Sequence, residues 1–290
     1  MSRQIPIILA SGSALAGSAP PIVMKVLPPT DVATLLILRF SGQGILLLLI
    51  IWLLDSRSIF PSGFTLVAGL CFATYSLTFF EAIATTSLSH AVILSSLYPL
   101  ELLVLSLITR RQRVHAADVP ALVCVTAGLL ALWDGRELQS GDLLAALSSL
   151  AFAGYIVANN RAVFHRSLRE AIAHQAYVSV SCAGAIVLLT PAILHSSSTL
   201  RTAITGSWKP AVCIALVGAL SNSLLTMAQT SLSPLTASII AVSSPVIAAL
   251  IGAFVFDPGQ LLSATIGCCL CGLGLVIISY RQRRLPLNKT

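Results

Sequence analysis

Three ionisable side chains stand inside long apolar stretches of this sequence: Arg39, Glu81 and Glu101. A charge at the centre of a bilayer costs roughly 2.5–3.5 kcal/mol even on insertion scales, so each needs a reason to be there. On one reading, Arg39 is a cation that receives a carboxylate, and Glu101 couples protons or receives a substrate amine. On the other, Arg39 pairs with Glu81 or Glu101 in a structural ion pair that neutralises both partners. The residue types alone leave both readings open.

Uncharged polar and aromatic residues recur at helical spacing. His90, Leu94, Tyr98 and Glu101 fall at i, i+4, i+8 and i+11, which stacks them on one face of an uninterrupted helix. Gly218, Asn222, Thr226 and Gln229 form a second stripe, and Ser148, Phe152, Tyr155 and Asn159 a third. Tyr75–Ser76 aligns with Ser221–Asn222 at an offset of about 146 residues. Together with Ser244, these residues are the expected wall of a solute cavity. The competing explanation is hydrogen bonding between helices, which also enriches Ser, Thr and Asn. Pro20, Pro21, Pro99 and Pro245 lie within apolar stretches, where each frees a carbonyl one turn earlier. They are candidate hinges, or ordinary kinks repaired by Ser95, Ser96, Ser243 and Ser244.

The elements that must position these residues follow from composition. The chain has 290 residues, of which 56% are hydrophobic and 9% charged, with a mean hydropathy of +0.93. Soluble domains carry about 25% charged residues, so the surface faces lipid. Apolar segments fall at 5–24, 32–54, 62–82, 88–109, 117–133, 142–160, 172–194, 210–229, 235–256 and 260–280. Backbone amides in lipid must be satisfied within the segment, so each segment is a helix. The first is read as a span, not as a cleaved leader. Between the eighth and ninth only Thr230–Ser231–Leu232–Ser233–Pro234 intervenes. The fold class is therefore an all-α integral membrane protein of ten transmembrane helices.

Charge sets the orientation. With both termini cytoplasmic, the inner side holds Arg3, Arg57, Arg110, Arg111, Arg113, Arg161, Arg166, Arg169, Arg281, Arg283, Arg284 and Lys289. The outer side holds Lys25, Arg136, Arg201 and Lys209. That asymmetry follows the positive-inside rule, and it explains the formal charge of +7 without a nucleic-acid partner. Residues 82–100 and 228–246 align at the same offset of about 146, and Ala16–Gly17 aligns with Ala153–Gly154 at about 137. Helix order is kept at each match. Five helices per copy is an odd number, so the second copy runs inverted. The halves are 1–136 and 137–290, within one membrane domain.

Several functions are disfavoured. GxxxxGK[ST], HExxH and GxSxG are absent, so neither ATP hydrolysis nor an enzyme is read, and no cofactor is implied. The seven cysteines lie in apolar runs; Cys268, Cys269 and Cys271 lack a nearby His or carboxylate, so no metal or disulfide is read there. Gly128, Gly267, Gly272 and Gly274 allow close helix contact, either between the halves or across a homodimer.

The chain resembles the drug/metabolite transporter superfamily, in the branch with two EamA-type halves. The carriers are the Ser/Thr-rich entry into an Ala…Pro helix at Thr85–Pro99 and again at Ser231–Pro245, Arg39–Phe40 early in the second span, and the glycines of the fifth and tenth spans. The resemblance implies a pseudo-two-fold bundle in which spans one, three, four, six, eight and nine surround a central cavity, with five and ten further out. It also implies a multi-pass protein of the plasma or inner membrane whose partners are lipid and a small-molecule solute. The function expected is secondary transport, most simply export, of an amino acid or similar amphipathic metabolite by alternating access. A non-transporting scaffold, a channel and an intramembrane enzyme are the alternatives.

Overall fold

The computed structural model describes residues 5–26, 32–53, 61–86, 88–109, 118–131, 137, 139–190, 197–256 and 258–284. The helices are α1 (Ile5–Gly17), α2 (Ala19–Val26), α3 (Val32–Leu53), α4 (Gly63–Thr85), α5 (Leu88–Ser95), α6 (Tyr98–Thr109), α7 (Asp118–Leu130), α8 (Ser140–Val163), α9 (Leu168–Leu189), α10 (Ser197–Gln229), α11 (Pro234–Ala241), α12 (Ser243–Phe256) and α13 (Leu261–Arg284). Nine helical stretches among the described residues are long and apolar enough to cross a bilayer, and α7 is a shorter apolar helix. The ten spans are thus α1–α2, α3, α4, α5–α6, α7, α8, α9, α10, α11–α12 and α13. The separators Pro28–Asp31, Asp55–Arg57, Arg110–Arg113, Asp134–Arg136 and Asp257, with Arg3 and Lys289, lie outside the described residues.

Local chemistry sets the ends. Ser62 caps α4 with Thr65 returning the bond, and Ser167 caps α9 with Glu170 doing the same, so the first turn's amides are satisfied. Pro234 opens α11 behind the Ser233 cap, where its missing N–H costs nothing. That turn separates the eighth span from the ninth. The eighth is longer than its apolar segment: α10 begins at Ser197, because a helix continues past the bilayer edge wherever the sequence permits.

Three spans are broken. The first breaks at Ser18, the fourth at Ser96–Leu97 and the ninth at Val242. Each break is followed within a few residues by Pro20–Pro21, Pro99 or Pro245, and a serine returns a bond to a carbonyl of the preceding turn. Ser18 Oγ donates to Leu15 O at 2.7 Å, Ser95 Oγ to Val92 O at 3.2 Å and Ser243 Oγ to Ile240 O at 2.6 Å. These bonds fall on Leu15, Val92 and Ile240, short of the carbonyls of Ala16, Gly17, Ser95 and Ala241 that the prolines free, and the helices separate at each break.

Packing follows a pseudo-two-fold that exchanges spans one and six, two and seven, three and eight, four and nine, five and ten. The main contacts obey it: third on sixth mirrors first on eighth, third on seventh mirrors second on eighth, and fourth on sixth mirrors ninth on first. Second packs on seventh and fifth on tenth, each pair its own mirror. The glycines mark equivalent crossings. Gly17 sits against Ser221 and Ser244, and Gly154 sits against Cys71. Gly128 meets Gly267 and Cys271, while Gly274 meets Ala121 and Val125, so these glycines serve contact between the two halves.

Candidate functional site: a cavity with a lone cation

The three breaks converge on a cavity of about 80 Å³ bordered by spans one, two, three, four, six, eight and nine. Its apolar wall is aromatic. Phe72, Tyr75 and Phe79 follow one another along α4 as a stacked ladder, with centroids 5.7 and 5.5 Å apart. Phe152 of α8 leans on Tyr75 at 4.5 Å and on Tyr98 at 4.7 Å. Its polar wall comes from the breaks and the eighth span: Ser13, Ser96, Ser221, Asn222 and Ser244. Ser221 is anchored, since its Oγ donates to Ser13 O at 2.9 Å. Ser96 Oγ is buried and has no hydrogen-bond partner among the described residues.

Arg39 borders this space and is 7% exposed. Its guanidinium lies 4.9 Å from the centroid of Phe40 and 5.7 Å from that of Phe80, in cation–π range of both rings. Nε has no hydrogen-bond partner among the described residues. Neither Glu81 nor Glu101 is within ion-pair distance: the Arg39–Glu81 and Arg39–Glu101 pairings expected as one alternative do not form. Glu81 points out of the bundle and is exposed. Glu101 occupies the first turn of α6, beyond the break.

The same break corrects the fourth-span stripe. A uniform helix would align His90, Leu94, Tyr98 and Glu101, but α5 and α6 are separate helices, and of the four only Tyr98 lines the cavity. His90 is buried with Nδ1 3.5 Å from Asp142 Oδ2, and Thr86 Oγ1 donates to Asp142 Oδ1 at 2.8 Å. Leu94 packs against the core. Glu101 keeps a buried Oε2 without a hydrogen-bond partner among the described residues.

The remaining expected residues divide in two. Tyr75, Phe152, Asn222 and Ser244 lie on the cavity, as do Pro20, Pro21 and Pro245, while Pro99 is buried behind it. Gly218 backs Arg39. Tyr155, Asn159, Thr226 and Gln229 are fully buried in a hydrogen-bonded layer beyond the cavity. Ser148 turns back to Ala145 O at 2.6 Å.

Phe72, Phe79, Phe80 and Ser13 were not singled out by sequence, nor were Gln43, His174, Gln175 and Ser179 of the buried layer. The signal for the second group was present: each is a polar residue inside an apolar span, the criterion that drew attention to Arg39. Phe72, Tyr75 and Phe79 also share a face at i, i+3 and i+7, but rings on a membrane helix are more often read as facing lipid.

An arrangement of an uncompensated cation, half-helix ends and aromatic walls can hold a small solute with an anionic group and an apolar body. The N-termini of α6 and α12 both begin at the cavity, and half-helix N-termini favour anions.

The model of the EamA-like transporter family matches residues 4–133 and again 139–280. No curated protein matches the chain. Among solved structures, one described only as "Crystal structure of protein" superposes with a TM-score of 0.73 at 19% identity, covering 96% of this chain and 99% of that one. At that identity the likeness is one of fold.

Proposed function

The chain belongs to the EamA-like transporter family, and on that premise we propose that it is a secondary transporter exporting a small amphipathic metabolite of the amino-acid type. Membership makes it a multi-pass membrane transporter. The substrate class, direction and mechanism are our reading. Movement is by alternating access through the central cavity, with both termini cytoplasmic, the protein in the cell membrane, and residues 1–136 and 137–290 acting as the two rocking halves.

One observation carries the substrate class: Arg39 is buried at the cavity with no carboxylate in reach among the described residues. A buried cation without a partner is costly. A solute carboxylate arriving between Arg39 and the half-helix ends would supply the missing charge, while the rings of Tyr75, Tyr98 and Phe152 would receive its apolar part. Charge compensation of this kind gives affinity only to solutes that carry the anion, which is specificity by an otherwise unpaired group.

The test is counterflow in liposomes holding the purified full chain, with a panel of labelled amino acids and their decarboxylated amines. Saturable exchange of the acids but not the amines supports the reading. Exchange of amines alone removes it.

A further inference from the structure

Beyond the cavity, toward the end of the bundle that carries Ser62, Arg166 and Glu170, a buried layer of amides, hydroxyls and one imidazole is set among the apolar residues. Asn222, on the cavity, donates to Gln43 Oε1 at 3.4 Å, and Gln43 Nε2 donates to Ser179 Oγ at 2.9 Å. Ser179 Oγ donates to Gln175 O at 2.8 Å, and Thr226 Oγ1 donates to Gln175 Oε1 at 2.7 Å. Asn159 Nδ2 donates to Thr226 Oγ1 at 3.2 Å and to Gln229 Oε1. Asn159 Oδ1 then meets His174 Nε2 at 2.8 Å, and His174 Nδ1 meets Thr65 Oγ1 at 3.1 Å. Thr65 and His174 border a second recess of about 160 Å³ that is also lined by Arg166, Glu170 and Tyr177. One connected chain of polar groups thus runs from the cavity to that recess.

The direction of the hydrogens can be assigned. Thr226 spends its hydrogen on Gln175, so it can only accept from Asn159, which fixes the Asn159 amide nitrogen on that side. Asn159 Oδ1 therefore faces His174, Nε2 carries the imidazole hydrogen, and Nδ1 is bare and accepts from the Thr65 hydroxyl. Thr65 Oγ1 in turn accepts from Ser62 N–H at 3.0 Å. The ring sits at the boundary: one nitrogen is locked to the sealed layer, and the other is one hydroxyl away from the recess.

Two features mark the layer as an arrangement that can be exchanged for another. Gln175 Nε2 and Gln229 Nε2 are buried without hydrogen-bond partners among the described residues, so the sealed state leaves donors unmet that an open, hydrated state would satisfy. The layer also joins spans two, three, six, seven and eight across the two halves, the surfaces that must part if a cavity alternates between faces.

We propose that this layer is a gate and that His174 is its proton-operated latch: a proton from the recess, taken onto Nδ1, releases the layer and opens the cavity toward that end. The added N–H confronts the Thr65 hydroxyl hydrogen, so Thr65 turns its hydrogen away, with Ser62 Oγ at 3.1 Å as the acceptor. The new cation has only uncharged groups in contact: Thr65 from the third span and Asn159 from the sixth. The charged groups nearby are Glu170 and Arg166, paired with each other at 3.3 Å on the recess rim, and Arg161, held over Phe64 at 5.8 Å; Tyr177 is the other titratable group. A buried cation without a partner turns toward water and Glu170, which withdraws Nε2 from Asn159 and frees Asn159 from Thr226 and Gln229. The proposal rests on the transporter reading for its purpose, but its chemistry is tested without any solute.

The experiment uses the full chain in detergent with Thr226→Cys as a reporter inside the layer. Its maleimide labelling rate is divided at each pH by that of the same chain denatured, and labelling of the native cysteines is subtracted. Between about pH 8 and about pH 4, a window that holds the titration of exposed and of buried imidazole alike, the normalised rate should rise about tenfold, and with His174→Gln added it should change less than about twofold. Thr65→Val is the second variant: it leaves the Nδ1 lone pair free, so the rise should be retained with its midpoint at higher pH. A flat profile in the reporter chain, an equal rise with His174→Gln, or an unmoved midpoint with Thr65→Val overturns the proposal, and the last decides should His174→Gln not fold. Failure of every solute to exchange in liposomes would remove the transporter reading and leave the labelling result standing.

Discussion

The guanidinium of Arg39 rests against the backbone of Gly218, close enough that a Cβ there would stand 3.2 Å from Nε and 3.3 Å from Nη2. The same Cβ would stand 3.2 Å from Gln43 Oε1. The eighth span thus approaches the second through a residue with no side chain, and the cation is held at the cavity by the space that absence leaves.

Gly218→Ala should therefore move Arg39 by a few tenths of an ångström and leave the fold intact. A displacement of that size at a positioned charge costs binding, so the half-saturating solute concentration in counterflow should rise about threefold to tenfold. Gly218→Val should abolish exchange. An unchanged value in Gly218→Ala would mean that Arg39 does not touch the solute.

Arg39 itself allows a test by sign. Removing one partner of a buried ion pair destabilises by about 3–5 kcal/mol, whereas removing an unpaired buried cation relieves a desolvation cost. Arg39→Gln should leave thermal stability in detergent unchanged or raised and lower the affinity for a carboxylate solute at least about tenfold, worth about 1.4 kcal/mol. A large loss of stability would revive the ion pair expected from sequence.

The two classes of glycine crossing should separate function from stability. A Cβ at Gly17 would stand 2.7 Å from Ser244 Oγ and 2.9 Å from Ser221 Oγ, both on the cavity, so Gly17→Ala should impair exchange in a chain that still folds. Gly128→Ala would place a Cβ 2.8 Å from Gly267 O and 2.8 Å from Cys271 Sγ, away from the cavity. It should lower the unfolding temperature, and the surviving protein should keep its solute affinity within about twofold.

Orientation is checked by labelling Ser62→Cys in right-side-out membranes. The recess at Ser62, Arg166 and Glu170 lies on the arginine-rich side, so an impermeant maleimide should react only after the membrane is opened, the native cysteines serving as background. Reaction from outside would invert the topology.

Much of the fold was legible because lipid leaves few choices: ten apolar segments became ten spans, and the inverted repeat was visible in the order of weak matches. The breaks at Ser96–Leu97 and Val242 sit at corresponding positions of the two copies, before Pro99 and Pro245, whose missing N–H leaves the carbonyl four residues earlier without its helical donor and suits the first turn of the helix that follows. What a periodicity argument could not supply was the rotation introduced by the break. His90 shares a face with Tyr98 only on a helix that does not exist, and so it falls away from the cavity, whereas Glu101 stays three residues after Tyr98 on α6 and still does not line it. Arg39 was legible as a cost but not as a lone cation, since a partner's absence is a property of packing. The latch residue His174 was missed because its partners, Thr65 and Asn159, come from two other spans, and no sequence window contains all three.

The central claim is that the cavity beside Arg39 carries a solute by its carboxylate. Counterflow of labelled amino acids in liposomes, compared between the parent chain and Arg39→Gln and repeated with the matching amines, tests it most directly. The account predicts saturable exchange of acids in the parent, loss of that exchange in Arg39→Gln, and no exchange of amines in either. Exchange of acids that is undiminished in Arg39→Gln would contradict it.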